Sequence, residues 1–246
     1  MPLPRHYPKA PITEALIDIR VELPEGTTVR ELETVQTGLE SVYPTRKQRH
    51  VAVVQAQVGR ALAAAAASSQ PDGVLLVSGD EKQVFQARLD GFTFSRLAPY
   101  EEWDTFRSEA RRLWDVYRCV AKPAKVTRLA VRYINRLDLP MPVHDLKEYL
   151  RTVPEVSPDL PQDLAGCFMQ LRIQQCDLQS CLLLTEAIIE PAKPGVASVV
   201  LDIDVFRVDE VPTEEKAIWS VLEELRGRKN EVFEACITDK ARELFV

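Results

Sequence analysis

The sequence has no glycine-rich phosphate loop. Its nine glycines are dispersed, so the backbone cradle that nucleotide sites build from clustered glycines is missing. Histidine is scarcer still: His6, His50 and His144 are the only three, and none accompanies a serine or cysteine in a recognisable nucleophile elbow. No apolar run approaches the ~18 residues of a membrane-spanning helix, and the opening MPLPRHYPKAP is too broken for a signal peptide. The expectation is a cytoplasmic protein with no membrane partner. A basic excess is also absent, since 31 Lys and Arg face 37 Asp and Glu for a net charge of −6. Nucleic acid is therefore a secondary expectation, because affinity for phosphate rests on surplus positive charge.

Cysteine is present in an odd number, as Cys119, Cys167, Cys176, Cys181 and Cys236. Most sit inside apolar periodic segments, where a free thiol behaves as a small hydrophobe. Cys176 and Cys181 bracket the turn-like Asp177-Leu178-Gln179-Ser180 and can face each other across a hairpin, but no second Cys or His pair completes a zinc site.

What is there is a globular balance: 46% apolar and 28% charged residues over 246 positions, enough for one large domain or two fused small ones. Ile12 to Leu23 alternates as a strand with Glu14, Asp18, Arg20 and Glu22 on its wet face. Thr27 or Thr28 is placed to cap a helix reaching about Val42, and Arg49 to Val58 reads as a strand. Gly59 to Gly73, with five consecutive alanines, reads as a loop or short helix. Val74 to Ser78, Gln83 to Leu89 and Phe92 to Leu97 form a meander punctuated by hairpin-turn residues. Pro99 suits a first helical turn, and Trp103, Phe106, Ala110, Leu113, Trp114 and Tyr117 then share one stripe of a long amphipathic helix.

After Lys122-Pro123 the pattern restarts. Val126 to Leu139 is a strand, Val143 to Thr152 a short helix, and three alternating runs follow at Cys167 to Gln174, Cys181 to Glu190 and Ser198 to Val208. Thr213 is placed to cap a final helix, with Gly227 as the expected position of a bend. PITEALIDIRVELP matches KVTRLAVRYINRLDLP in alternation and position, as LAPYEEWDTF matches DEVPTEEKAIW. The fold class expected is α+β, a duplicated strand, helix, meander and long helix whose antiparallel sheet has its helices on one face. Residues 1–122 and 123–246 would be the two repeats, packed as one globular unit with the cleft between them as the default ligand position.

The blocks KAPITEALIDIRVELP, GFTFSRLAPYEEWDTF, VTRLAVRYINRLDLP, LDIDVF and NEVFEACITDKARELF span nearly the whole chain. In them the sequence resembles a sporadically distributed, uncharacterised prokaryotic protein family of about this length. It departs from that family in the alanine-rich segment from Ala61 to Ala67, which touches none of the blocks. The resemblance implies no activity, cofactor or catalytic residue. The family's scattered distribution would fit an accessory gene in a defence or toxin–antitoxin setting.

The residues that remain for function are polar residues of strands. Arg128, Arg132 and Arg136 fall on one face of their strand, each about 13 Å from the next, so an extended polyanion or acidic peptide can touch all three and a small anion one. Arg132 is the leading anion contact, and Asn135 falls on the apolar face, where it needs hydrogen-bond partners. Asp18, Asp202 and Asp204 are the carboxylates placed to pair with the arginines across the sheet. Asp202 and Asp204 share a face ~6–7 Å apart, so with Glu186 they open the alternative of a metal-dependent hydrolase. Arg46, Lys47, Arg49 and His50 form a basic cluster read as an exposed loop. The leading expectation is a non-enzymatic binding or regulatory module for a protein partner or a small anionic ligand. It needs no cofactor and no resident metal, and leaves a homodimer open.

Overall fold

The computed structural model describes residues 5–56, 65–161 and 164–246. Its strands form an antiparallel sheet in the order β2-β3-β4-β5-β1-β6-β9-β8-β7, which together with the helices makes an α+β protein. The chain divides into two compact units. One comprises Ile19–Ser95 and Glu102–Thr127; the other comprises Met1–Asp18, Arg96–Glu101 and Arg128–Val246.

Strand β1 (Ile12–Glu22) buries Ala15, Ile17, Ile19 and Val21 on one face, as its alternation requires. Thr28 then opens α1 (Val29–Leu32) through a reciprocal capping box, in which the Glu31 amide donates to Thr28 Oγ1 at 3.3 Å and the Thr28 amide to Glu31 Oε2 at 2.7 Å. The helix does not reach Val42. It tightens to a 3₁₀ turn over Glu33–Gln36, and Gly38 follows at φ +81°, a left-handed conformation that ends helices. Leu32, Val35 and Leu39 are buried all the same.

Strands β2 (Thr45–Ala56) and β3 (Ala65–Val77) pair with a register shift at Arg49/His50. The basic cluster therefore lies on a strand and not in a loop, because ladder hydrogen bonds to β3 fix its backbone, and Arg49 pairs with Asp72. Within the segment read as a loop or short helix, residues 65–73 are strand, and all but Asp72, the extra residue at the register shift, have ladder partners on one side or both. Residues 57–64, with the first alanines of the rich segment, lie outside the described residues.

Strands β4 (Gln83–Arg88) and β5 (Gly91–Leu97) complete the meander. Gly91 is required at its turn: φ is +153°, and a Cβ there would stand 2.3 Å from the Ile19 carbonyl oxygen. Helix α2 (Trp103–Ala121) buries Trp103, Phe106, Ala110, Leu113, Trp114 and Tyr117 in one stripe. Phe92 meets Trp114 edge-on at 5.6 Å, Phe94 stacks on Phe106 at 5.3 Å, and the Tyr117 hydroxyl donates to the Arg88 carbonyl at 2.9 Å. Pro99 is not in the helix; it follows a cis peptide bond, and Glu102 is the N-cap.

The other unit is built on β6 (Lys125–Pro140), whose odd positions Leu129, Val131, Tyr133, Asn135, Leu137 and Leu139 are all buried. Where a short helix was expected there is one 3₁₀ turn, Leu146–Glu148, with Asp145 as its cap. Strands β7 (Phe168–Gln175), β8 (Ser180–Ile189) and β9 (Val196–Arg207) form an antiparallel meander, with β9 laid against β6. Helix α3 (Glu215–Cys236) continues unbroken through Gly227, and its N-cap is Glu214, without a side-chain bond from Thr213. A short α4 (Asp239–Arg242), capped by Thr238, leads to the last residues. There the early chain is held: the Lys9 amide donates to the Phe245 carbonyl at 3.0 Å, the Tyr7 ring packs on Phe233 and Phe245, and the Tyr7 hydroxyl donates to Glu234 at 2.7 Å.

Candidate functional site

Even-numbered positions of β6 and β9 share one face, and the six residues singled out from the sequence meet on it. Arg128 donates to Asp18 at 2.8 Å and to Asp204 at 2.7 Å. Arg132 lies opposite Asp204 in the ladder but bonds diagonally to Asp202, as a fork of Nε to Oδ1 at 2.8 Å and Nη2 to Oδ2 at 2.5 Å. Arg136 turns to Asp138 at 3.1 Å, to Ser198 Oγ at 3.2 Å and to the Glu190 carbonyl at 3.2 Å. All three guanidinium groups thus have acceptors within the fold.

Asp202 raises the basicity of Arg132 through the forked bond, against the opposing effect of burial. Burial pushes the Asp204 carboxyl above its ordinary value, although Arg128 and Arg132 pull the other way, and its Oδ1 is buried without a partner among the described residues. A cation shared by Asp202 and Asp204 would have to displace both arginines. Glu186, the third carboxylate considered for such a site, pairs with Leu201 and so points to the opposite face from Asp202, by the two-residue alternation of strands. Among the described residues no group of three or more His, Cys, Asp or Glu is placed to hold a metal ion.

The sequence reading missed Arg172. It stands on β7 opposite Leu183 and on the same face as Asp204. It is exposed, its Nε donates to Cys181 Sγ at 3.4 Å, and no carboxylate partners it among the described residues. Its guanidinium lies 5.9 Å from the centre of the Phe206 ring, which Arg128 also covers at 4.5 Å. Arg172, Gln174, Cys181, Phe206, Asp209 and Glu210 contribute to the lining of a cleft of about 270 Å³ at the end of the β7–β8 hairpin. The signal available was MQLRIQQ, where Gln170, Arg172 and Gln174 alternate with apolar residues. A lone arginine in such a run looks like any solvated strand residue until its neighbours are known.

The opposite face carries a second polar set, sealed under α3. Lys229 is 8% exposed, with its ammonium 3.7 Å from the centre of the Tyr133 ring. Burial, with Arg226 adding to it, lowers the Lys229 pKa to about 7. Tyr133 donates its hydroxyl to Tyr100 at 2.7 Å, and burial raises it well above the ordinary phenol value. Asn135 donates Nδ2 to the Leu201 carbonyl at 3.0 Å, so its amide bridges β6 to β9. Glu186 is 3% exposed, with Oε1 unpartnered among the described residues, and burial raises it to about 7. Burial likewise raises the Cys236 thiol to about 12, with Glu186 adding to it. No family model matches the chain, and no curated protein matches it.

Proposed function

We propose that the chain is a non-enzymatic binding module that takes a small anionic ligand, or an acidic side chain of a protein partner, at Arg172. The observation that carries this is the contrast among the arginines of one sheet face: Arg128, Arg132 and Arg136 are bonded to acceptors of the fold, while Arg172 is exposed beside Phe206 in a cleft. A guanidinium presents five donors in a plane, which suits a carboxylate or phosphate. The Arg128 to Arg136 row then serves to hold the face together and not to meet the ligand. Arg172→Gln removes the charge and leaves a shorter, polar side chain. The test is a thermal-shift and isothermal-titration panel of small carboxylates and phosphates against the wild type, Arg172→Gln and Arg136→Gln. Stabilisation lost in the first variant and kept in the second supports the reading; no response to any anion, or a response indifferent to Arg172, defeats it.

The metal-dependent hydrolase reading has less support, because both of its aspartates are bound by arginines. A nucleic-acid reading has to work against the net charge of −6. The same proposal includes a duplicated ancestry for residues 1–122 and 123–246. In each half the last strand of the meander, β5 or β9, lies beside the opening strand, β1 or β6, and a long helix follows. Membership of the sporadically distributed prokaryotic family rests on the sequence blocks alone, and with it the defence or toxin–antitoxin setting. The five free cysteines favour a reducing compartment such as the cytoplasm.

A further inference from the structure

We infer that β7 is the dimerisation edge of this protein, pairing antiparallel with β7 of a second copy about a twofold axis at Leu171. The strand is last in the sheet order. The Ile188 amide donates to the Cys167 carbonyl at 3.0 Å, and the register sets Phe168 opposite Ala187. Alternation in an antiparallel ladder then turns the backbone groups of 167, 169, 171, 173 and 175 toward β8, and those of Phe168, Gln170, Arg172 and Gln174 outward. Among the described residues nothing bonds to these outward groups.

Sheet edges are usually blunted by lysine, proline or a bulge. FMQLRIQQ has no lysine or proline, and Arg172 is its one charge. Phe168 is 74% and Ile173 39% exposed. Two constraints restrict the pairing. Outward-facing residues must meet outward-facing residues, and each face of one sheet must continue into the same face of the other. With the axis at Leu171, Gln170 meets Arg172 of the second copy, Phe168 meets Gln174, and Met169 meets Ile173 across a shared apolar row. Shifting the axis to Arg172 would set two guanidinium groups directly opposite, which is unfavourable. Gln170 donates its side-chain amide to Thr185 Oγ1 at 3.0 Å, so a neutral amide stands opposite Arg172 of the second copy while the guanidinium stays over Phe206.

This inference is independent of the ligand proposal, because Arg172→Gln removes the charge that an anion needs while leaving a glutamine pair at the interface. The experiment is sedimentation equilibrium of the full chain over a dilution series, with circular dichroism to verify folding of each variant. The wild type is expected to be a dimer. Gln170→Arg should weaken it about tenfold, since like charges then oppose each other at two symmetric positions. The double variant Gln170→Arg with Arg172→Glu should restore it, which only this register predicts. A wild type monomeric at every concentration overturns the inference and leaves the edge to a different protein's strand. A dimer unmoved by Gln170→Arg also overturns it, by putting the interface elsewhere.

Discussion

At Asp202, 8% exposed, both carboxylate oxygens receive their hydrogen bonds from Arg132. Removing the guanidinium strands a mostly buried charge, so Arg132→Ala should cost about 2 kcal/mol, between the small worth of an exposed pair and the larger loss at a fully buried one. Urea unfolding will show it, and Asp202→Ala in the same chain should recover part of the loss. Read from the sequence, Arg132 is the leading anion contact. Alternation put Arg132 and Asp202 on one face, but the diagonal choice of partner depends on the register between β6 and β9, which no single strand encodes. Asn135 was more legible, because an amide among buried apolar neighbours must bond, and it bonds Leu201. Lys229 and Glu186 gave no such warning. Glu186, ordinarily near 4.5, titrates near 7 in the fold, so the folded state holds the proton longer and stability falls as pH rises between those values. Glu186→Gln should therefore raise the melting temperature at pH 8 and change it little at pH 4.5. Lys229 runs in the other sense: lowered from 10.5 to about 7, it adds stability as pH rises through that window and loses it as pH falls through 7. Lys229→Met should stabilise most below pH 7, in melts taken from pH 5 to 10.

The elements most legible in the sequence were those with long, strict periodicity. In α2 the stripe from Trp103 to Tyr117 is buried as its spacing requires. Trp114 is wholly buried between Phe92 and Tyr117, so Trp114→Ala should lower the free energy of unfolding by about 3–5 kcal/mol. A denaturant titration reading below ~1 kcal/mol would mean that the stripe is not core. The first helix was the least legible. Its apolar spacing continues to Val42, yet the helix tightens after Leu32 and the chain leaves helical conformation at Thr37 and Gly38, while the residues beyond still bury Leu39 by another path. Periodicity reports which side chains go inward, and only backbone conformation says how they get there. The alanine-rich segment failed for the opposite reason: with little large apolar content, residues 65–73 take their strand form from ladder partners on the neighbouring strands.

For the molecule as a whole, the opposed titrations of Glu186 and Lys229 meet near pH 7, so their joint contribution to stability has a minimum there and grows toward either side. That profile is unusual, since paired carboxylates ordinarily favour neutral pH, and a double variant Glu186→Gln with Lys229→Met should flatten it. The candidate site was legible only as an inventory. The arginines and aspartates were in the sequence, but which arginine has no carboxylate partner among the described residues follows from the whole set of pairings at once.

The contact between the early chain and the last residues has a kinetic meaning. The Lys9 ammonium donates to the Val246 carbonyl at 2.7 Å, across a sequence separation of 237. Closing a loop of that length costs about 5 kcal/mol of chain entropy by the logarithmic law. Contacts this distant are the ones a folding chain defers, since local hairpins such as β7–β8 close first and at far smaller entropic cost. The seam around Tyr7, Phe233 and Phe245 is then a late event in folding. A covalent link across it would convert the slowest search into a local one.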